Sequence, residues 1–366
     1  MNRYTATPIS LMQFIFIISG IQVSVAVLSL PRKLAEFAGT DGWIALLLGW
    51  AINVTASFLI IQVMKKHPEG TLLDLVTRYM GRWAGRMAAI VFAFYFLSLG
   101  FDGLTRSILL VKIWLLPNTA AYVIMILLLI PTYSIARYHP SVLGRYAELV
   151  VFLSIWIPLV YMLTLKNAHW LHLMPLLKKG WGPVFSAIPA TIYPSLGMVS
   201  AFFLYPNLRK KEKAFTGMLI ANTLTSLLYL FITIICFLFF SPDEINTYND
   251  PVISVLKSIE FKFIERIEIL FISFYLFIFS LVWIPAMYLT TFCTSWLLGK
   301  QDNRMHLRLV CLVLIMVYYF HKLTFNQSDR LELILAYVGF GMEYVLPACL
   351  LLYLSGIQFF QKRSGV

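Results

Sequence analysis

The sequence predicts an all-α polytopic membrane protein of about ten transmembrane helices, and three observations carry that reading. Hydrophobic residues make up 60% of the 366 and charged residues 13%, with a mean hydropathy of +0.80; water-soluble domains are about a quarter charged. The apolar residues fall in runs of about 20, the length that crosses a hydrocarbon core, joined by short polar links. Lys and Arg then concentrate in alternate links. The net charge of +12 therefore reads as membrane topology. It shows no basic stripe interleaved with stacking aromatics, and no nucleic-acid partner is expected.

Taken in order, spans are expected near 9–34, 41–64, 84–112, 119–137, 141–165, 184–206, 215–240, 267–298, 307–323 and 333–358. The first run continues for about 20 residues without a small-x-small cleavage pattern before Pro31, so it reads as a retained helix, not a removed signal. Between the second and third spans, Thr71 to Met80 alternates leucines with Asp74 and Arg78, which suits an amphipathic helix at the interface; Val252 to Phe263 reads the same way. With the N-terminus inside, 17 of the 29 Lys and Arg fall on the cytoplasmic side. Basic residues set topology, so both termini are expected there. Cys236, Cys293, Cys311 and Cys349 all lie in apolar segments without CxxC spacing and read as packing residues.

Ten spans divide into five plus five. The expectation is one membrane domain, 1–366, with a first repeat over about 9–165 and an inverted second repeat over about 184–358. The first and sixth spans then correspond, and both are interrupted. The first holds Ser19, Gly20, Gln22, Ser24 and Ser29 before Pro31; the sixth holds Pro189, Pro194, Ser195 and Gly197 before Pro206. Proline removes a backbone donor and glycine eases departure from helical geometry, so both are expected to break near mid-membrane. Freed amides would attract a carboxylate and freed carbonyls an ammonium or cation, and an amino acid matches both. A purely structural kink for packing explains each span taken alone.

The stretch Leu28-Ser29-Leu30-Pro31-Arg32, followed by Asp41-Gly42-Trp43, resembles the opening of the B subunits of the nutrient germinant receptors of bacterial spores, members of the amino acid, polyamine and organocation transporter superfamily. Further similarities are Gly81-Arg82-Trp83, Arg106, Arg145 with Glu148, Ser195-Leu196-Gly197-Met198, the basic loop Arg209 to Lys213, and 263–268. The resemblance implies a LeuT-like fold with broken helices 1 and 6. It also implies a ligand-sensing subunit in the inner membrane of the spore, partnered by an A subunit and a C lipoprotein. This chain departs from that pattern twice. Ser24-Val25-Ala26 stands where relatives place a glycine-x-glycine motif, which suggests a break tighter or shifted toward Gly20, and Val199 stands where many relatives carry an acid.

The ligand-binding candidates are Gly20, Gln22, Ser24, Val25 and Ala26 in the first span and Tyr193, Ser195, Leu196, Gly197 and Val199 in the sixth, with Gly100 in the third. Val282, Trp283 and Ala286 join them because the resemblance implies that the eighth span also lines the cavity. Leu196, Val199, Val282 and Ala286 carry no charge, which favours an apolar ligand side chain. Asp102 and Arg106, four apart on one helical face, are close enough to pair, as a structural pair or as a ligand gate. Arg145 and Glu148 have the same ambiguity. Glu343, flanked by Gly339 and Gly341, has three readings: a hydrogen-bond acceptor for another helix, a neutral acid, or a contact for the A subunit. His169 and His172 beside Trp170 suit an interfacial anchor better than a metal.

No phosphate-cradling loop, Ser-His-Asp order, zinc spacing or paired catalytic carboxylates occurs, so the expectation is a non-enzyme without cofactor or metal. The leading expectation is a receptor subunit that binds a small nutrient, an amino acid, and signals through partner subunits. The alternatives are a proton- or cation-coupled amino acid transporter and an ion-conducting or assembly subunit with a vestigial pocket.

Overall fold

A computed structural model describes residues 8–259, 267–299, 304–321 and 323–363. Among these the chain is almost entirely helical. Its α-helices are α1 (Leu11–Gln22), α2 (Leu30–Ala38), α3 (Gly42–Lys65), α4 (Leu72–Met80), α5 (Arg82–Trp114), α6 (Ala121–Ala136), α7 (Pro140–Ser154) and α8 (Ile157–Tyr161). The second half supplies α9 (Trp181–Ala187), α10 (Ala201–Leu204), α11 (Ala214–Phe239), α12 (Pro251–Leu256), α13 (Ile267–Leu297), α14 (Arg304–Phe320), α15 (Phe325–Phe340) and α16 (Leu346–Arg363). Six segments of these are long and apolar enough to cross a bilayer, and a bent pair, Trp181–Thr191 with Tyr193–Asn207, makes a seventh. α1 and α6 are shorter apolar helices.

Local chemistry sets the boundaries. Ser10 caps α1 reciprocally with Gln13: each side chain accepts from the other's backbone amide, at 3.1 and 3.0 Å. Thr71 and Asp74 form the same capping box at α4, the amphipathic segment before α5. Of the second expected interfacial helix, Val252 to Phe263, the part within α12 is helical and 260–263 lies outside the described residues, as does most of the 263–268 similarity.

α5 and α13, 33 and 31 residues long, form the spine. They approach closely because Gly100 and Gly103 present no side chain to the other helix: a Cβ on Gly100 would lie 3.1 Å from Met287 Cε and 3.3 Å from Ala286 Cβ. Small residues serve this purpose inside membranes, where apolar burial gives no net drive between helices. α1 packs against α7, α11 and α13, and α3 against α11 and α16, which buries α1 in the middle of the bundle. At its start, the Ile9 amide donates to Asn207 O at 2.8 Å, and the Arg209 amide donates to Ile9 O at 3.1 Å. The start of the first interrupted span and the end of the sixth are thus stitched together.

Candidate functional site

Both interrupted spans are broken. α1 stops at Gln22; Val23 and Ser24 leave helical geometry, a short turn covers Val25–Leu28, and α2 resumes at Leu30 with Pro31 in its first turn. The break lies at Val23–Ser24. It does not shift toward Gly20, which remains helical because Leu281 packs on it: a Cβ there would fall 2.9 Å from Leu281 Cβ. Ser24 restarts the chain by accepting from the Ala26 amide at 3.2 Å. In the other span the turn Tyr193–Ser195 ends at Leu196, which is extended, and Gly197 takes φ +124° before helical geometry returns at Met198. That φ disfavours any side chain, and a Cβ on Gly197 would also lie 2.9 Å from Ile21 Cβ.

A broken helix in hydrocarbon must have its backbone groups satisfied, and here the side chains of Tyr229, Gln22 and Glu343 do so, held in turn by polar side chains of α3, α5 and α11. Tyr229 on α11 aims its hydroxyl at Gln22 O, 2.7 Å, and Pro194 O, 3.3 Å, one carbonyl from each break. Gln22 Nε2 donates to Ser195 O at 3.3 Å and to Asn222 Oδ1 at 2.8 Å. Asn222 Nδ2 donates to Ser57 Oγ at 2.8 Å, Asn53 Nδ2 to Ser195 Oγ at 2.8 Å, and Thr225 Oγ1 to Gln22 Oε1 at 3.1 Å. On the opposite side, Gly197 N and Met198 N donate to the two carboxylate oxygens of Glu343 at 2.6 and 2.8 Å, and Tyr95 OH donates to Glu343 at 2.7 Å. A carboxylate therefore reaches this break even though position 199 is valine.

Two small cavities border the breaks among the described residues. One of about 10 Å3 lies inside the Gln22, Asn53, Asn222 and Tyr229 network; the other, also about 10 Å3, is bounded by Val25, Ala26, Ser29, Tyr193 and Arg106. Each has room for about one water. The second is roofed by charge. Arg106 pairs with Asp329 and, at 3.1 Å, with Glu332, while Lys33 on α2 pairs with Glu332 from the other side. Asp250, in the link before α12, completes the wall; burial raises its carboxyl above the ordinary range, against the opposing pull of Arg106 and Arg32. This cluster ties α2, α5 and α15 together over the first break and closes the cavity.

The structure brings some sequence candidates together and separates others. Val25, Ala26 and Tyr193 line the cavity under the charged roof, and Gln22 and Ser195 line the polar one. Gly20 borders a third space, an apolar crevice of about 390 Å3 between α1, α7, α8, α11 and α13. Gly100, Val282 and Ala286 belong to the α5–α13 seam. Trp283 is buried and donates to Thr132 Oγ1 at 3.0 Å. Leu196 packs on Gly339 and Val199 is fully buried. The four residues that favoured an apolar ligand side chain thus occupy packing positions.

Two pairings are corrected. Asp102 and Arg106 share a helical face but do not pair: Asp102 accepts from Tyr193 OH, and Arg106 is drawn to the carboxylates of α15. Arg145 and Glu148 form no ion pair either; Arg145 is exposed, and Glu148 accepts from Gln13 Nε2 at 3.3 Å. Glu343 takes the first of its three readings. Sequence reasoning missed Asn53, Asn222, Tyr229, Lys33, Asp329 and Glu332. A signal existed for several of them: Asn222, Thr225 and Tyr229 are polar and recur at helical spacing within an apolar span, a pattern that marks an inward face.

The architecture is that of LeuT-like membrane transporters. A nucleobase-cation-symport-1 family transporter, Mhp1, in a closed conformation with bromovinylhydantoin bound, superposes with a TM-score of 0.67 at 12% identity over 96% of this chain and 79% of its own. MhsT in complex with L-phenylalanine gives 0.67 at 12% identity over 92% and 88%. With that fold, the chain belongs to the spore germination protein family, whose profile matches residues 8–330. It is 24% identical to spore germination protein GerQB of Bacillus cereus over 90% of both chains, and 28% identical to spore germination protein A2 of Bacillus subtilis (strain 168) over 80% of this chain and 78% of that one. With its several membrane-spanning helices the chain is a multi-pass membrane protein of that family.

Proposed function

We propose that this chain is the membrane subunit of a spore germinant receptor and that it binds a small amino acid where the two broken spans meet. The observation that carries the reading is the convergence of backbone groups freed at Val23–Ser24 and at Leu196–Gly197, together with the cavity lined by Val25, Ala26, Ser29 and Tyr193. In this conformation the cavity admits no more than about one water, so binding requires the Lys33–Glu332–Arg106–Asp329 roof to part. A nutrient helps germination only through different affinity for the open and closed states.

On this reading the chain is one membrane domain of two inverted five-helix halves, about 9–165 and 184–358. It lies in the inner spore membrane with both termini facing the core and works with an A subunit and a C lipoprotein. The pairing of breaks in the first and sixth spans supports the inverted arrangement, and the basic bias of alternate links supports the orientation. A proton- or cation-coupled transporter of the same ligand is the second reading, favoured by the fold that MhsT and Mhp1 share with this chain.

One experiment separates the two. Receptor complexes carrying this chain are reconstituted in vesicles and offered radiolabelled amino acids. The receptor reading expects saturable binding of about one ligand per subunit with no accumulation, abolished by Ala26→Leu at unchanged protein level. Accumulation driven by a proton or cation gradient establishes transport instead. Binding that survives Ala26→Leu removes the site from the breaks.

A further inference from the structure

The second break is an anion site with an occupant already in place. Gly197 N, Met198 N and Tyr95 OH converge on one carboxylate at 2.6, 2.8 and 2.7 Å. That carboxylate belongs to Glu343, which is fully buried 145 residues further along the chain. The break supplies amides that have lost their helical acceptors, and such amides bind carboxylates strongly in a medium without water. The donor element is shaped for the purpose. α15 runs into α16 through a π-helical turn, Gly341–Val345, with Glu343 at its centre; such turns insert a residue and concentrate at functional sites. Gly339, one turn earlier, lets Leu196 pack directly on the same helix, where a Cβ would lie 3.1 Å from Leu196 Cγ.

We propose that Gly197, Met198 and Tyr95 form a carboxylate-binding site and that Glu343 is its built-in ligand, a latch that holds the second break closed from the α15–α16 helix. Opening of the nutrient site, an idea that rests on the function proposed above, then requires this carboxylate to leave its amides. A nutrient carboxylate must displace Glu343 to reach the Gly197 and Met198 amides. Glu343 is thus a positioning residue: it acts on the site through the conformation of Leu196 to Ser200.

The test needs no nutrient, so it stands or falls separately from the proposed function. Glu343→Ala, in the full chain in detergent, leaves a void beside the amides that sodium formate fits. The melting temperature of this variant is expected to fall and then to recover saturably with millimolar formate. Chloride at matched ionic strength restores nothing, and wild type does not respond. A merely space-filling Glu343 predicts no formate effect, and that result overturns the proposal. Should Glu343→Ala not yield folded protein, Glu343→Gln keeps the volume while losing the charge. Hydrogen exchange of the Gly197 and Met198 amides is then expected to speed up by about tenfold or more. Exchange unchanged from wild type overturns the latch.

Discussion

Removing the charge of Arg106 is the sharpest perturbation of the closed site. Arg106→Met keeps much of the side-chain length and apolar contact and deletes both ion pairs. Its pair with Glu332 is the stronger of the two, because the Glu332 side chain is 7% exposed and that of Arg106 12%. Asp329 is 50% exposed, so solvent screening reduces that contact to under about 1 kcal/mol. Stranding a buried carboxylate costs about 3–5 kcal/mol when no partner remains. Here Lys33 still holds Glu332, so a reasonable cost to the closed state is about 2–3 kcal/mol, or about 30- to 160-fold in its population relative to an open state. The assay is the labelling rate of Ala26→Cys by a membrane-impermeant maleimide, with the four native cysteines replaced. Ala26 is 4% exposed and lines the cavity beneath the roof, so its rate follows opening. A rate within about twofold of the parent would refute the idea that this cluster is what closes the site.

Gly197→Ala is expected to fail more severely than an ordinary buried substitution, since φ +124° and the Ile21 contact both oppose a methyl group; ligand binding and thermal stability fall together, by about 2 kcal/mol or more in stability. Gln22→Leu strips the acceptor of Thr225 and the donor to Asn222 and Ser195 and is expected to cost about 2–4 kcal/mol in detergent melts. Gly100→Leu collides with Met287 and Ala286 in the α5–α13 seam, whereas Gly103→Ala meets Val282 at an ordinary 3.4 Å; yield should drop for the first and hold for the second, with ligand affinity unchanged in the latter. Asp250, its carboxyl raised by burial, binds its proton more readily folded than unfolded. Stability from this group is therefore full below the ordinary carboxylate range and lost as pH rises through the raised value. Asp250→Asn should flatten that part of the pH–stability curve.

Much of this arrangement was legible in the sequence because bilayer physics leaves few solutions. Apolar runs of spanning length locate α3, α5, α11 and α13 to within a few residues, and Pro31, Pro194 and Gly197 mark the broken spans. The exact break in the first span was not legible. Gly20 is the more permissive residue, yet Leu281 pins it in the helix, and the chain departs instead at Val23, where Tyr229 and Ser24 take over the freed groups. Charge pairing misled for a related reason. Spacing along one helix put Asp102 beside Arg106, but Tyr193 and the α15 carboxylates offered each a better partner across the bundle. Glu343 shows the limit most clearly: nothing local to 343 indicates which of the freed amides it will meet, since its partners at 197 and 198 are set by the tertiary fold alone.

A structure of the assembled receptor, determined with and without the amino acid that triggers germination, tests the central claim most directly. Density for that molecule is expected between Val23–Ala26 and Tyr193–Gly197, with the Arg106 and Lys33 ion pairs rearranged between the two states. Ligand bound elsewhere, with both breaks and the charged roof identical in the two structures, would contradict the account.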